Sequence, residues 1–138
     1  MILTDTGPLI ALFDPADSHH KRCESILKEI RRPLYCTLPV LTEAFHLLDP
    51  GSKGSSNLRA FVMKGGMGIF FMDNEAVIRA FKLMEKYADH PMDLADASLV
   101  VAAERLGTTD VFTIDRNDFE SYRVKRGHRY YPMNLLMG

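Results

Sequence analysis

The sequence predicts an α/β sandwich in which a short-stranded, mostly parallel sheet lies between layers of helices. Three observations carry this. The strand candidates are short and continuously apolar, as strands buried on both faces must be. They are separated by stretches of helical periodicity, the pattern of parallel strands joined by crossover helices. At 138 residues, 46% apolar and 25% charged, the chain has the size and composition of one globular domain, 1–138, with a single core.

The chain opens on a strand at 2–5 (ILTD), then a helical turn near 8–13 after the Gly7-Pro8 pair. A helix is predicted over 17–30, a strand over 34–37, and a helix from Pro39 to Leu48, proline standing in the first turn where its missing N–H costs nothing. Residues 49–57 (DPGSKGSSN) read as a Gly/Ser-rich loop. Beyond it come a helix at 57–64, a strand at 69–72 (IFFM) and a helix at 74–88; the two helices are candidate dimer surfaces. The segment "DLADASLVVAAERLG" predicts a helix over 93–106 that Asp93 and Asp96 open and Gly107 stops. A strand at 110–114 (DVFTI), a turn at 117–122 and an edge strand near 129–131 complete the order.

A net charge of -1 excludes a basic nucleic-acid coat, so contact with nucleic acid must use local patches. The tail "YRVKRGHRYY" sets Arg123, Lys125, Arg126 and Arg129 among Tyr122, Tyr130 and Tyr131, a mix suited to phosphates and stacked bases. The runs at 19–22 (HHKR) and 28–32 (KEIRR) are further basic clusters, and each of these segments reads equally well as a solvated face. Cys23 and Cys36 lack CxxC spacing and read as reduced thiols of a cytoplasmic protein. No apolar run reaches the roughly 18 to 20 residues of a membrane span, and the N-terminus lacks signal-peptide features.

Ligands of such folds sit outside the carboxyl ends of the strands, so acids at that edge carry the most weight. Asp5 ends "ILTD" and Asp115 ends "VFTID", which sends both to one edge. Glu43 lies on the flank of the helix "PVLTEAFHLL", beside an apolar face of Val40, Leu41, Ala44, Leu47 and Leu48; His46 faces solvent. Asp93 and Asp96 begin the later helix. Singly, each acid is a cap or a surface charge. Together, three or four carboxylates at one edge repel one another unless a divalent cation neutralises them, and oxygen ligands without Cys or His select Mg²⁺ or Mn²⁺. Such a site suits phosphodiester hydrolysis, because a divalent ion activates water and offsets phosphate charge without a side-chain base. Thr6 and Thr113 offer neighbouring hydroxyls for water, or are ordinary turn and strand threonines. Arg116 is the cation nearest this edge in sequence.

"LTDTGPLIAL", the Glu43 helix, "MDLADASLVVAAERLG" and "VFTIDRNDF" follow the order seen in PIN-domain ribonucleases, and the chain most resembles the VapC-like toxins among them. The resemblance implies a PIN-like three-layer sandwich, a Mg²⁺- or Mn²⁺-dependent endoribonuclease acting on RNA, a homodimer and a cognate antitoxin. It assigns metal binding and catalysis to Asp5, Glu43, Asp96 and Asp115, with Asp93 and Asp118 at positions acidic in some members. Gly7 and Pro8 depart from the family, where a small polar residue often stands two places after the first Asp. The DTG triplet also begins the aspartic-protease motif, which belongs to β-rich chains, and an aspartyl phosphatase would carry an acid at position 7. The alternative in another class is a catalytically silent PIN-like module that binds RNA or protein.

Overall fold

The computed structural model describes residues 1–137. Among them, β1 (Ile2–Thr4), β2 (Leu34–Thr37), β3 (Gly68–Phe70) and β4 (Asp110–Thr113) are parallel neighbours; β5 (Arg123–Arg126) and β6 (Arg129–Pro132) form a separate antiparallel hairpin, and β7 (Asn134–Met137) returns to the main sheet. The sheet order is β3-β2-β1-β4-β7, every pairing parallel. β1 sits at the centre because all three of its residues can be buried on both sides. Around the sheet lie α1 (Thr6–Phe13), α2 (His20–Glu29), α3 (Leu38–Leu47), α4 (Lys53–Met63), α5 (Asn74–Lys86), α6 (Leu94–Leu106) and the short α7 (Arg116–Ser121).

The core runs from Ile2 and Leu3 through Val111 and Phe112 to α6, whose Leu99, Val100 and Val101 are at most 1% exposed. Burying a side chain such as Leu99 contributes about 1.5 to 3 kcal/mol. α6 touches α3, α5, β1, β2 and β5, so its first turn is fixed relative to several strand ends at once. Gly107 closes it in the left-handed region, at φ 71°, as the sequence required.

Three elements differ from expectation. The helix read over 57–64 begins at Lys53, since the Ser52 side chain caps it by accepting from Ser55 N at 3.1 Å; Gly54 is small because a Cβ there would stand 2.5 Å from the Phe13 carbonyl oxygen. The turn near 8–13 is a helix from Thr6 onward. The strand expected near 129–131 is present as β6, but it pairs with β5 in a hairpin turning at Gly127 and His128, and the edge of the main sheet beside β4 is β7. Its four residues pair with β4 in register, a long-range match no local pattern announces.

Gly7 meets the start of β4's continuation: a Cβ at this position would stand 2.5 Å from Ile114 Cγ1 and 2.8 Å from Cδ1. A side chain at this position has no room unless Ile114 moves. Gly7→Ala is therefore expected to lower unfolding free energy by about 1 to 3 kcal/mol, and Ile114→Ala in the same chain to recover part of it. Denaturant titration of the two single variants and the double reads this, and an unchanged or more stable Gly7→Ala would refute the clash.

Candidate active site

Parallel pairing sets the carboxyl ends of β1, β2 and β4 side by side. Asp5 directly follows β1, Asp115 lies two residues beyond β4, and Glu43 stands on α3, which leaves β2 without a linker. The N-terminus of α6 adds Asp93 and Asp96, and α7 adds Asp118. These six acids line one cleft of about 290 Å³, with Thr6, Gly7, Ile10, Leu47 and Ile114 as its other walls. The cleft gathers every acid that the sequence singled out.

Asp5 is 8% exposed. It occupies the N-cap position of α1 yet makes no capping bond with its side chain; its Oδ2 accepts from the Thr113 hydroxyl at 2.9 Å. The same hydroxyl oxygen accepts from Asp115 N at 2.9 Å, so one β4 residue ties the two strand-end acids together. Burial pushes the Asp5 carboxyl up to about 6, the Glu43 and Asp115 charges adding to it against the Thr6 N–H and the Thr113 hydroxyl. Thr6 is 4% exposed, and its hydroxyl has no protein partner.

Asp93 caps α6, accepting from Asp96 N at 2.8 Å, and Asp115 caps α7, accepting from Asp118 N at 3.1 Å. The capping and chemical readings are thus compatible, because a carboxylate that caps through one oxygen keeps a second. Asp96 is half-buried, and its Oδ2 accepts from the Tyr122 hydroxyl at 2.9 Å. Burial pushes its carboxyl up to about 8, reinforced by Asp93, Asp5 and Asp118 and opposed by the Tyr122 bond. Asp118 meets His90 Nε2 at 2.9 Å; its carboxyl is held above the ordinary range first by hydrogen bonding with Asp115, then by burial and the Asp115 charge. Glu43 is half-buried beside Leu47, which is 56% exposed rather than part of the buried α3 face. That face is Val40, Leu41, Ala44 and Leu48.

The basic residues do not line the cleft. Arg116 pairs with Glu120 at 3.1 Å on the surface of α7. Arg123 donates to the Glu120 and Tyr122 carbonyls at 2.7 and 2.9 Å. Lys125, Arg126 and Arg129 are exposed on the β5–β6 hairpin, as are Tyr130 and Tyr131, with Lys86 Nζ 4.3 Å over the Tyr130 ring. Tyr122 is corrected: it is 0% exposed and cannot stack on a base. Sequence reasoning missed its bond to Asp96 and the pairing of His90 with Asp118. The three-residue spacing of Phe119 and Tyr122 was the one signal that Tyr122 faces inward.

A larger groove of about 600 Å³ adjoins the cleft, sharing Glu43 and Asp93, with Leu38, Pro39, Leu94 and Ala95 as apolar walls and His46 at its rim. Cys23 and Cys36 are free thiols, pushed up by burial to about 11 and about 12. Among the described residues no helix is long and apolar enough to cross a membrane. Nor do three or more His, Cys, Asp or Glu side chains among them stand together as a finished metal cage. Five of the six acids instead lean on a local partner: Asp5 on Thr113, Asp96 on Tyr122, Asp118 on His90, and Asp93 and Asp115 on a helix N–H. The donor set nevertheless fits a hard divalent cation, being oxygen only, crowded with like charge, and including the unpartnered Thr6 hydroxyl.

The family model described as PIN domain matches residues 2–125. The chain is 26% identical over 132 residues to Ribonuclease VapC26 of Mycobacterium tuberculosis (strain ATCC 25618 / H37Rv), covering 94% of this chain and 97% of that protein. The fold is similar to that of the Mycobacterium tuberculosis VapC20, a Sarcin-Ricin loop cleaving toxin, with a TM-score of 0.78 at 15% identity over 86% of this chain and 92% of that one. A chain of a toxin-antitoxin complex from Klebsiella pneumoniae superposes with a TM-score of 0.69 at 18% identity, over 88% and 92% of the two chains.

Proposed function

The chain belongs to the PIN domain family, and from that membership and its acid cleft we propose that it is a divalent-metal-dependent endoribonuclease, the toxin of a toxin–antitoxin pair. One observation carries the reading. Six carboxylates, one after β1, one on α3, two at the start of α6 and two at the start of α7, line a single cleft with no Lys or Arg in its walls. Gathering like charge in this way costs free energy that the hydrogen bonds from Thr113, Tyr122 and His90 offset only in part, leaving Asp5 and Asp96 pushed up, so the arrangement calls for a cation from outside.

On this reading Asp5, Glu43, Asp96 and Asp115 hold Mg²⁺ or Mn²⁺, which when bound supplies activation of water and neutralisation of phosphate charge. Thr113 ties the Asp5 side chain to the Asp115 backbone, donating to the first and accepting from the second. Thr6, in the cleft wall, carries a buried hydroxyl without a protein partner that a bound water would satisfy. Asp93 caps α6, Asp118 in the first turn of α7 meets His90, and both add negative charge to the cleft. Lys125, Arg126 and Arg129 on the hairpin give RNA a positive approach that the cleft itself denies. RNA, an antitoxin and a second copy of the chain are the partners, and the cytoplasm is the compartment. The half-exposed Ile78 and Phe81 of α5 offer the apolar surface a homodimer would cover.

A silent binding module has one observation on its side: the acids do not close on a single point. Purified protein incubated with a mixed single-stranded RNA pool separates the two. The nuclease cuts in Mn²⁺ and stops in EDTA, and the folded state gains about 2.7 kcal/mol when Mn²⁺ is at a hundredfold its Kd. Neither cleavage nor any Mn²⁺ stabilisation would leave the binding module.

A further inference from the structure

We propose that Tyr122 is a positioning residue whose hydroxyl holds Asp96 toward the other acids, an inference that rests on the metal-site reading above. The Tyr122 side chain is wholly buried, and a buried phenol requires a polar partner. Its partner is a single oxygen of Asp96, at 2.9 Å. The ring itself has little freedom: Tyr87, Phe119 and His90 stand edge-on to it at centroid distances of 5.2, 5.3 and 6.1 Å. These come from the C-terminal end of α5, from α7 and from the segment before α6. The hydroxyl is therefore fixed by packing before any ligand arrives.

Asp96 needs such a partner. It is the first acid of α6 after its cap, with Asp93, Asp5 and Asp118 as like-charged neighbours in the cleft, and a carboxylate so placed swings outward into water unless something holds it. Tyr122 engages Oδ2 and leaves Oδ1, which has no protein partner among the described residues, for a cation. Groups that orient a ligand in this way are commonly worth about 10- to 100-fold in metal affinity. Tyr122 follows α7 and directly precedes β5, so the same side chain anchors the basic hairpin to the acid cleft.

The test uses Tyr122→Phe, which keeps the ring and removes only the hydroxyl, with Tyr87→Phe as the control. The Tyr87 hydroxyl accepts from Arg123 N at 3.1 Å and does not touch Asp96. Mn²⁺ is titrated against each full chain and the midpoint of thermal stabilisation is read, in wild type and in an Asp96→Asn background. The expected result is a midpoint about tenfold higher in Tyr122→Phe, unchanged in Tyr87→Phe, and no further change when Tyr122→Phe is added to Asp96→Asn, since the two act as one unit. A wild-type midpoint in Tyr122→Phe overturns the proposal, as does a shift of equal size in the Asp96→Asn background, which would make the effect general loosening. Absence of any Mn²⁺ response in the wild type overturns the metal-site reading itself and the positioning role with it, and is distinguishable because it appears without a substitution.

Discussion

Asp96→Asn is expected to lower Mn²⁺-dependent RNA cleavage by about 10³-fold or more, because a lost ligand removes several kcal/mol of stabilisation from the developing charge. The same substitution is expected to make the metal-free protein more stable at pH 8 and above. Asn is nearly isosteric with Asp, retains an oxygen that accepts from Tyr122, and carries no charge to repel Asp93, Asp5 and Asp118. Discounting for the part of the carboxyl that water still reaches, the gain is about 2 kcal/mol. Single-turnover cleavage and denaturant unfolding of the two proteins in EDTA read both effects. A variant that loses activity while also losing stability would mean that Asp96 supports the fold rather than a cation.

Metal-free protein is expected to lose stability as the pH rises from about 4 to 8. In the folded chain the Asp96 carboxyl is pushed up to about 8 and that of Asp5 to about 6, against an ordinary value of 3.8. Between these limits the folded state holds more protons than the unfolded state, so the unfolding free energy falls with rising pH. The favourable contribution is fully present below the unfolded value and is lost through pH 6 for Asp5 and through pH 8 for Asp96. Saturating Mn²⁺ is expected to reverse this slope, since an ion competes with those protons and binds more tightly as they leave. Thermal melts from pH 5 to 9, with Mn²⁺ and with EDTA, check the sign. Metal-free stability that rises across this window would contradict the crowding of acids on which the site rests.

The two expectations share a cause. Carboxylates crowded in one cleft are unfavourable to the folded chain until a cation arrives, so on the proposed reading activity and metal-free stability are opposed there. Gly7 is the opposite case. Its side of the cleft is closed by Ile114, so a larger residue there is expected to cost stability whether or not a cation is bound.

The parallel sheet and the set of acids are legible in the residues alone, because both rest on local chemistry. Apolar runs such as DVFTI are strands by composition and length, and an aspartate after such a run falls at the sheet edge wherever the strand lies. Asp93 and Gly107 bound α6 through backbone groups within a few residues of themselves. Other features depend on contacts far apart in sequence. β7 became the sheet edge by matching register with β4, the Gly/Ser stretch became α4 once Ser52 capped it against the end of α1, and Tyr122 turned from the surface to Asp96, 26 residues away. No local pattern encodes such pairings, since the energy of a buried hydroxyl or an edge strand depends on what the rest of the chain brings beside it.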